Sequence, residues 1–269
     1  MVYRPRRQSR AMASPDALQQ NLHQLRERIA AACARSSRPP ASVRLLAVTK
    51  GVPDETVRAA INLGLTDVGE NRIQEARLKQ HTLGVRNAEF SMRIAHSALR
   101  IPHSALRWHL IGHLQRNKAD DAVELFDVIQ SLDSAELAVR LNRFALARSR
   151  SLEVMIQVNV SGEATKSGCA PGELPALVDA LASCERLRLT GLMTIPPFVN
   201  DPPAARPHFR SLRRLRDQAA GILGHSAESL ELSMGMSNDF EVAIEEGATV
   251  IRIGTALFGS RETNLEVGN

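Results

Sequence analysis

Leu45-Leu46-Ala47-Val48-Thr49-Lys50 is an apolar run that ends in a lysine and passes directly into Gly51-Val52-Pro53. A continuous apolar run with polar flanks suits a strand covered on both faces, as in a parallel sheet. Glycine and proline end the run, and Asp54 to Leu63 then carries the spacing of an amphipathic helix. Strand, loop and helix follow in that order. Such a unit needs parallel partners on either side, because its strand has no polar face to offer to water.

The same unit recurs along the chain. Upstream, Leu18, Leu22, Leu25 and Ile29 recur at helical spacing behind Ser14-Pro15-Asp16, which supplies an N-cap and a first-turn proline, so an extra helix over 14–34 precedes the first strand. Downstream, further strands read as Thr66 to Gly69, Arg107 to Gly112, Asp127 to Leu132, Glu153 to Val160, Arg188 to Ile195, Glu231 to Met234 and Thr249 to Ile253. Helical patterns separate them, including Ala135 to Ala147 behind Asp133-Ser134. Eight strands alternating with helices imply parallel pairing through right-handed crossovers. The expected fold is α/β, a single (β/α)8 TIM-type barrel with an additional N-terminal helix, and 269 residues suit it.

Composition narrows the function classes. Four of the five net positive charges come from Arg4, Arg6, Arg7 and Arg10, so the rest of the chain is near balance and is weak ground for nucleic-acid binding. Aromatic content of 3% also argues against a base-stacking surface. Cys33, Cys169 and Cys184 lack metal or disulfide spacing, which fits a reducing compartment. No apolar run is long enough to cross a membrane. Residues 1–13 read as a disordered arginine-rich extension, with Met12 an alternative start, and residues 14–269 as the barrel. Ile94 to Arg100 is repeated almost unchanged as Ile101 to Arg107, a short duplication that lengthens a surface loop. His109 and His113 are four apart, but the run around them is strand-like and no third ligand completes a metal site.

Active sites of such barrels gather where strands end, so Lys50 would stand at the mouth. A lysine partly withdrawn from water keeps more of its amine as free base and can form an imine with an aldehyde. The plainer alternative is a lysine that merely leaves the sheet for solvent. Lysine is scarce here, at Lys50, Lys79, Lys118 and Lys166 only, which favours a specific role. The loops Gly235-Met236-Ser237-Asn238 and Gly254-Thr255-Ala256 follow strands seven and eight, the usual phosphate position of these barrels; ordinary helix capping is their alternative. An imine-forming lysine beside a phosphate cradle describes a pyridoxal phosphate site. Arg252, one step before that cradle, would face the pyridine nitrogen and disfavour its protonation, leaving a weak electron sink, unless it pairs instead with a carboxylate such as Glu70.

Leu46-Ala47-Val48-Thr49-Lys50, Val68-Gly69-Glu70-Asn71 with Gln74-Glu75, Trp108 to Gln115 with Asn117-Lys118, Gly191 to Pro196, Leu232 to Ser237 with Asp239, and Val250 to Thr255 together resemble the ordered motifs of the pyridoxal phosphate homeostasis protein family. The resemblance spans about Leu18 to Arg261. It implies a barrel like the alanine racemase N-terminal domain, pyridoxal 5'-phosphate as cofactor, Lys50 as the Schiff-base lysine, Ser237, Gly254 and Thr255 at the phosphate, Arg252 at the ring nitrogen, and Asn71 and Met234 lining the pocket. Departures are the arginine-rich tail, the duplication, and Arg116 where serine is common.

Racemases of this barrel type use a second acid/base residue from an added β domain; this chain ends soon after the eighth strand, and its sole tyrosine, Tyr3, lies in the tail. The expectation is therefore a cytoplasmic, monomeric carrier without efficient catalysis that buffers or delivers the cofactor, with apoenzymes as candidate recipients and neither nucleic acid nor membrane as partner. The alternative is a racemase-like enzyme using Lys50 as base. A phosphate-ligand or RNA-binding barrel without imine chemistry is the third class.

Overall fold

Eight parallel strands close into a barrel in chain order in the computed structural model, which describes residues 13–84, 106–163 and 165–259. The strands are β1 (Arg44–Val48), β2 (Asp67–Glu70), β3 (Arg107–Leu110), β4 (Val128–Leu132), β5 (Leu152–Gln157), β6 (Leu187–Met193), β7 (Glu231–Met236) and β8 (Val250–Ile253). The ring closes between β8 and β1, where Ala47 pairs with Ile253, and β1 meets β2 at Val48 and Gly69. Around it lie α1 (Pro15–Arg35), α2 (Asp54–Asn62), α3 (Ile73–Leu83), α4 (Ala119–Leu125), α5 (Ala135–Ala147), α6 (Leu174–Ala182), α7 (Arg206–Ile222), α8 (Phe240–Glu245) and α9 (Thr255–Phe258). The expected barrel and its extra helix are both present.

Local rules account for the helix starts. Ser14 Oγ accepts from Ala17 N–H at 3.3 Å and Ser134 Oγ from Leu137 N–H at 3.4 Å, each meeting one amide that the first turn leaves unpaired. Prolines at 171 and 202 open short 3₁₀ turns that lead into α6 and α7. β7 runs two residues further than expected because Gly235, at φ +92°, carries the strand through a register shift between Ser233 and Met236.

Alternating strand positions divide the core into two layers. Leu46, Val48, Ile111, Met155, Met193 and Val250 pack inside the barrel, while Ala47, Val68, Trp108, Leu110, Ile251 and Ile253 join the larger layer beneath the helices. The extra helix α1 buries Leu18, Leu22, Leu25 and Ile29. It is tied to α8 by Arg28–Glu241 at 2.6 Å and Arg35–Glu245 at 2.7 Å, and Asn21 Nδ2 donates to Leu257 O at 2.9 Å. Each fully buried leucine contributes roughly 1.5–3 kcal/mol of transfer free energy, so the apolar stripe outweighs the exposed ion pairs. Ala13, counted with the extension on sequence grounds, donates to Phe258 O at 3.1 Å. The arginine-rich first residues and all but the end of the duplicated segment lie outside the described residues. Among the described residues, no helix is long and apolar enough to cross a membrane.

Candidate functional site

Lys50 lies two residues beyond β1, half-buried at the mouth where the strands end. The backbone on each side of it is gripped. Thr49 N–H reaches Gly69 O at 3.0 Å, and Thr49 Oγ1 donates to Glu70 Oε1 at 2.6 Å. From α3, Lys79 Nζ donates to Glu70 Oε1 at 2.7 Å, to Glu75 Oε1 at 2.8 Å and to the carbonyl of Thr49. Gly51 N–H donates to Glu75 Oε1. Lys79 is 4% exposed and Glu70 fully enclosed, so this ion pair sits inside the layer between strand and helix. Burial raises the Glu70 carboxyl above the usual range, and Lys79 offsets that only in part. Burial also acts upward on Glu75, but hydrogen bonds from Lys79 and Gly51 bring it below its ordinary value.

The clamp corrects one expectation. Glu70 is committed to Lys79 and Thr49 on the helix side of β2 and is not the partner of Arg252. Its two α3 members went unremarked in the sequence as site residues, although Glu75 and Lys79 stand at the i, i+4 spacing of a helical ion pair and lysine is rare in this chain.

Across the ring, Ser237 follows β7 and its Oγ accepts from Ala256 N–H at 3.2 Å, which joins the loop after β7 to the loop after β8. Gly254 caps α9 and Thr255, its first residue, is exposed. A Cβ built on Gly254 would lie 3.6 Å from Val48 Cβ and 3.7 Å from Val48 O, so this loop borders the strand that leads to Lys50. A Cβ on Gly235 would lie 2.5 Å from Ala243 Cβ in α8. Only glycine lets β7 turn into α8 this closely.

Arg252 projects into the barrel, 3% exposed. Its Nη1 donates to Ser233 O at 2.7 Å and Ser233 Oγ at 2.8 Å, and its Nη2 to Thr194 O at 2.7 Å. Burial lowers its pKa to about 10, opposed by the nearby Asp239 carboxylate, so it remains a cation at neutral pH. Three of the five guanidinium N–H donors are thereby matched, leaving two without an acceptor among the described residues. A buried cation with donors to spare fits an acceptor such as a heteroaromatic ring nitrogen. The Ser237 hydroxyl and exposed Thr255 fit an anionic group, and a strand-end lysine fits an aldehyde.

Asn71 follows β2, half-buried, and its backbone is set by Gly112, where a Cβ would come within 2.3 Å of Asn71 O. A cleft of about 410 Å³ opens beside it, bordered by Gln74, His113, Gln115 and Lys118. That opening shares only Asn71 with the residues expected at the site. Met234 is the one expected site residue that the structure sets apart. Its side chain is fully buried in the outer core layer, while Ser233 before it faces the interior. His109 lies wholly inside the barrel and His113 is exposed beside Asp133, so the two histidines do not converge. Ser233 and Thr194, which hold Arg252, were not foreseen as site residues.

The family profile described as alanine racemase, N-terminal domain, matches residues 14–262. The chain is 40% identical over 243 residues to the pyridoxal phosphate homeostasis protein of Aquifex aeolicus, covering 90% of this chain and 98% of that relative. It is 42% identical over 243 residues to the protein of the same name from Pseudomonas aeruginosa, covering 90% and 95%. Among solved structures, PipY of Synechococcus elongatus with PLP bound superposes with a TM-score of 0.68 at 38% identity, covering 88% of this chain and 100% of that one.

Proposed function

Because the chain belongs to the pyridoxal phosphate homeostasis protein family, we propose that it binds pyridoxal 5'-phosphate reversibly at the mouth beside Lys50 and buffers or delivers it in the cytoplasm. In this reading Lys50 holds the cofactor as a Schiff base, Ser237, Gly254 and Thr255 receive the phosphate, Arg252 meets the ring nitrogen, and Asn71 stands at the pocket wall. The bound cofactor supplies an aldehyde and an electron-withdrawing ring, the latter weakened when a cation rather than a carboxylate faces its nitrogen. The protein's own part is to hold and orient. The observation that carries the reading is the contact chain linking the ends of β1, β7 and β8: Ser237 to Ala256 at 3.2 Å, and Gly254 against Val48. Lysine, hydroxyl loop and arginine thus belong to neighbouring strand ends.

A carrier role without catalysis agrees with the names of the relatives and with a cation at the ring nitrogen. The racemase-like alternative draws on the alanine racemase domain profile. Titrating the apoprotein with pyridoxal 5'-phosphate, then mixing the loaded protein with a pyridoxal phosphate-dependent apoenzyme and separately with amino-acid enantiomers, tests both. Transfer without racemisation is expected, from a monomer by light scattering. Rapid interconversion of enantiomers would replace the carrier with an enzyme.

A further inference from the structure

A line of hydrogen bonds crosses the barrel interior and ends on Arg252. Arg252 Nη1 donates to Ser233 Oγ at 2.8 Å, and Ser233 Oγ donates to Gln130 Oε1 at 2.6 Å. Gln130 Nε2 meets His109 Nδ1 at 3.0 Å, and His109 Nε2 meets Asp67 Oδ1 at 2.9 Å. The five side chains come from β8, β7, β4, β3 and β2, and none is more than 3% exposed.

The roles along this line follow from one end. A guanidinium can only donate, so Ser233 Oγ accepts a hydrogen bond from Arg252 and turns its own hydrogen to Gln130. The amide oxygen of Gln130 then faces Ser233 and its NH2 faces His109. That makes His109 Nδ1 an acceptor and puts the ring hydrogen on Nε2, where it is given to Asp67. Thr66 Oγ1 donates to the second Asp67 oxygen at 2.9 Å. Every donor therefore points from the cation toward the anion, through three neutral groups. Bonds aligned in this way polarise one another. Reversing any single member would set two donors or two acceptors face to face among buried groups, which is costly.

We propose that Asp67, His109, Gln130 and Ser233 are positioning residues that fix the rotation of the Arg252 guanidinium and so present its unmatched N–H donors to the ligand. This rests on the assignment of Arg252 to the cofactor's ring nitrogen. Ser233 contributes twice, through its carbonyl and its hydroxyl, and the relay decides where the hydroxyl points. None of the four needs to touch the cofactor. Their effect reaches it through one side chain.

Two measurements test this. The first is ¹⁵N NMR of histidine-labelled apoprotein. His109 is expected as the neutral Nε2–H tautomer; an Nδ1–H tautomer or an imidazolium at neutral pH would overturn the relay whatever binds at the mouth. The second compares pyridoxal 5'-phosphate binding and the bound-cofactor absorbance band in Gln130→Met, Ser233→Ala and Arg252→Met, with urea midpoints as the control for folding. Gln130→Met and Ser233→Ala are expected to weaken binding roughly fivefold, the scale of one net hydrogen bond, and to shift the band in the same direction as Arg252→Met. If Arg252→Met weakens binding while the other two alter only the urea midpoint, the relay is structural and the inference fails. If Arg252→Met itself leaves binding and band unchanged, the ring-nitrogen assignment fails instead.

Discussion

The two faces of β2 each hold a buried acid, three residues apart, and treat it in opposite ways. On the inner face Asp67 accepts from His109 and Thr66; burial acts to raise its carboxyl, but the His109 hydrogen bond, the Arg44 charge and the Thr66 hydrogen bond bring it below the ordinary value. On the outer face Glu70 meets Lys79 and Thr49, yet burial keeps its carboxyl above the ordinary value, and its Oε2 has no hydrogen-bond partner among the described residues. The inner acid ends a line of neutral groups leading to Arg252. The outer acid belongs to a charged clamp around Lys50. Opposite sides of one candidate site thus rest on different physics, a directional neutral relay and a desolvated ion pair, and perturbations should tell them apart.

The largest effect is expected on the outer face. Lys79→Met leaves Glu70 buried without its counterion and should cost about 3–5 kcal/mol in urea unfolding, whereas Glu70→Leu with Lys79→Met should recover most of that loss. A double variant no more stable than Lys79→Met would mean that the clamp is not a desolvated pair. On the inner face, Asp67→Leu strands the His109 Nε2–H donor and should cost about 2 kcal/mol, with no rescue from any change at Lys79 because the two networks share no member. Glu75→Gln keeps an acceptor for Gly51 N–H and loses only charge toward Lys79, so about 1 kcal/mol is expected, read as a small drop in urea midpoint. The smallest effect is in pH dependence, where the signs differ. The depressed Asp67 carboxyl contributes stability above its unfolded value that is lost as pH falls through its folded value; the raised Glu70 carboxyl favours the fold below its unfolded value and loses that contribution as pH rises through its folded value. Stability from pH 3 to 7 should therefore fall less on acidification in Asp67→Asn than in wild type, and more in Glu70→Gln. Shifts of the same sign in both variants would remove the distinction between the faces.

Much of this architecture was legible in the chain. The apolar runs Leu45 to Lys50, Arg188 to Ile195 and Thr249 to Ile253 announced strands that the structure ends at Val48, Met193 and Ile253, and Ser14 and Ser134 marked helix starts that it keeps. Motif order also located Lys50, Ser237, Arg252 and the Gly254 loop at strand ends. The support around them was not legible, because it depends on which face each strand residue takes. Gln130 and Ser233 lie inside the two strand runs without any local signal, and only barrel closure brings residues 103 positions apart to 2.6 Å. Met234 follows inward-facing Ser233, so strand alternation puts its side chain in the helix layer. His109 invited a metal reading by its spacing from His113, but strand geometry sends one inward and leaves the other at the rim.

The most direct test of the central claim is borohydride reduction of the protein loaded with pyridoxal 5'-phosphate, followed by peptide mapping. The account predicts a single stoichiometric label on Lys50, absent from Lys50→Ala. A label on Lys118 or Lys166, or no label at all in a protein that still binds the cofactor, would contradict the assignment of Lys50 as the anchoring residue.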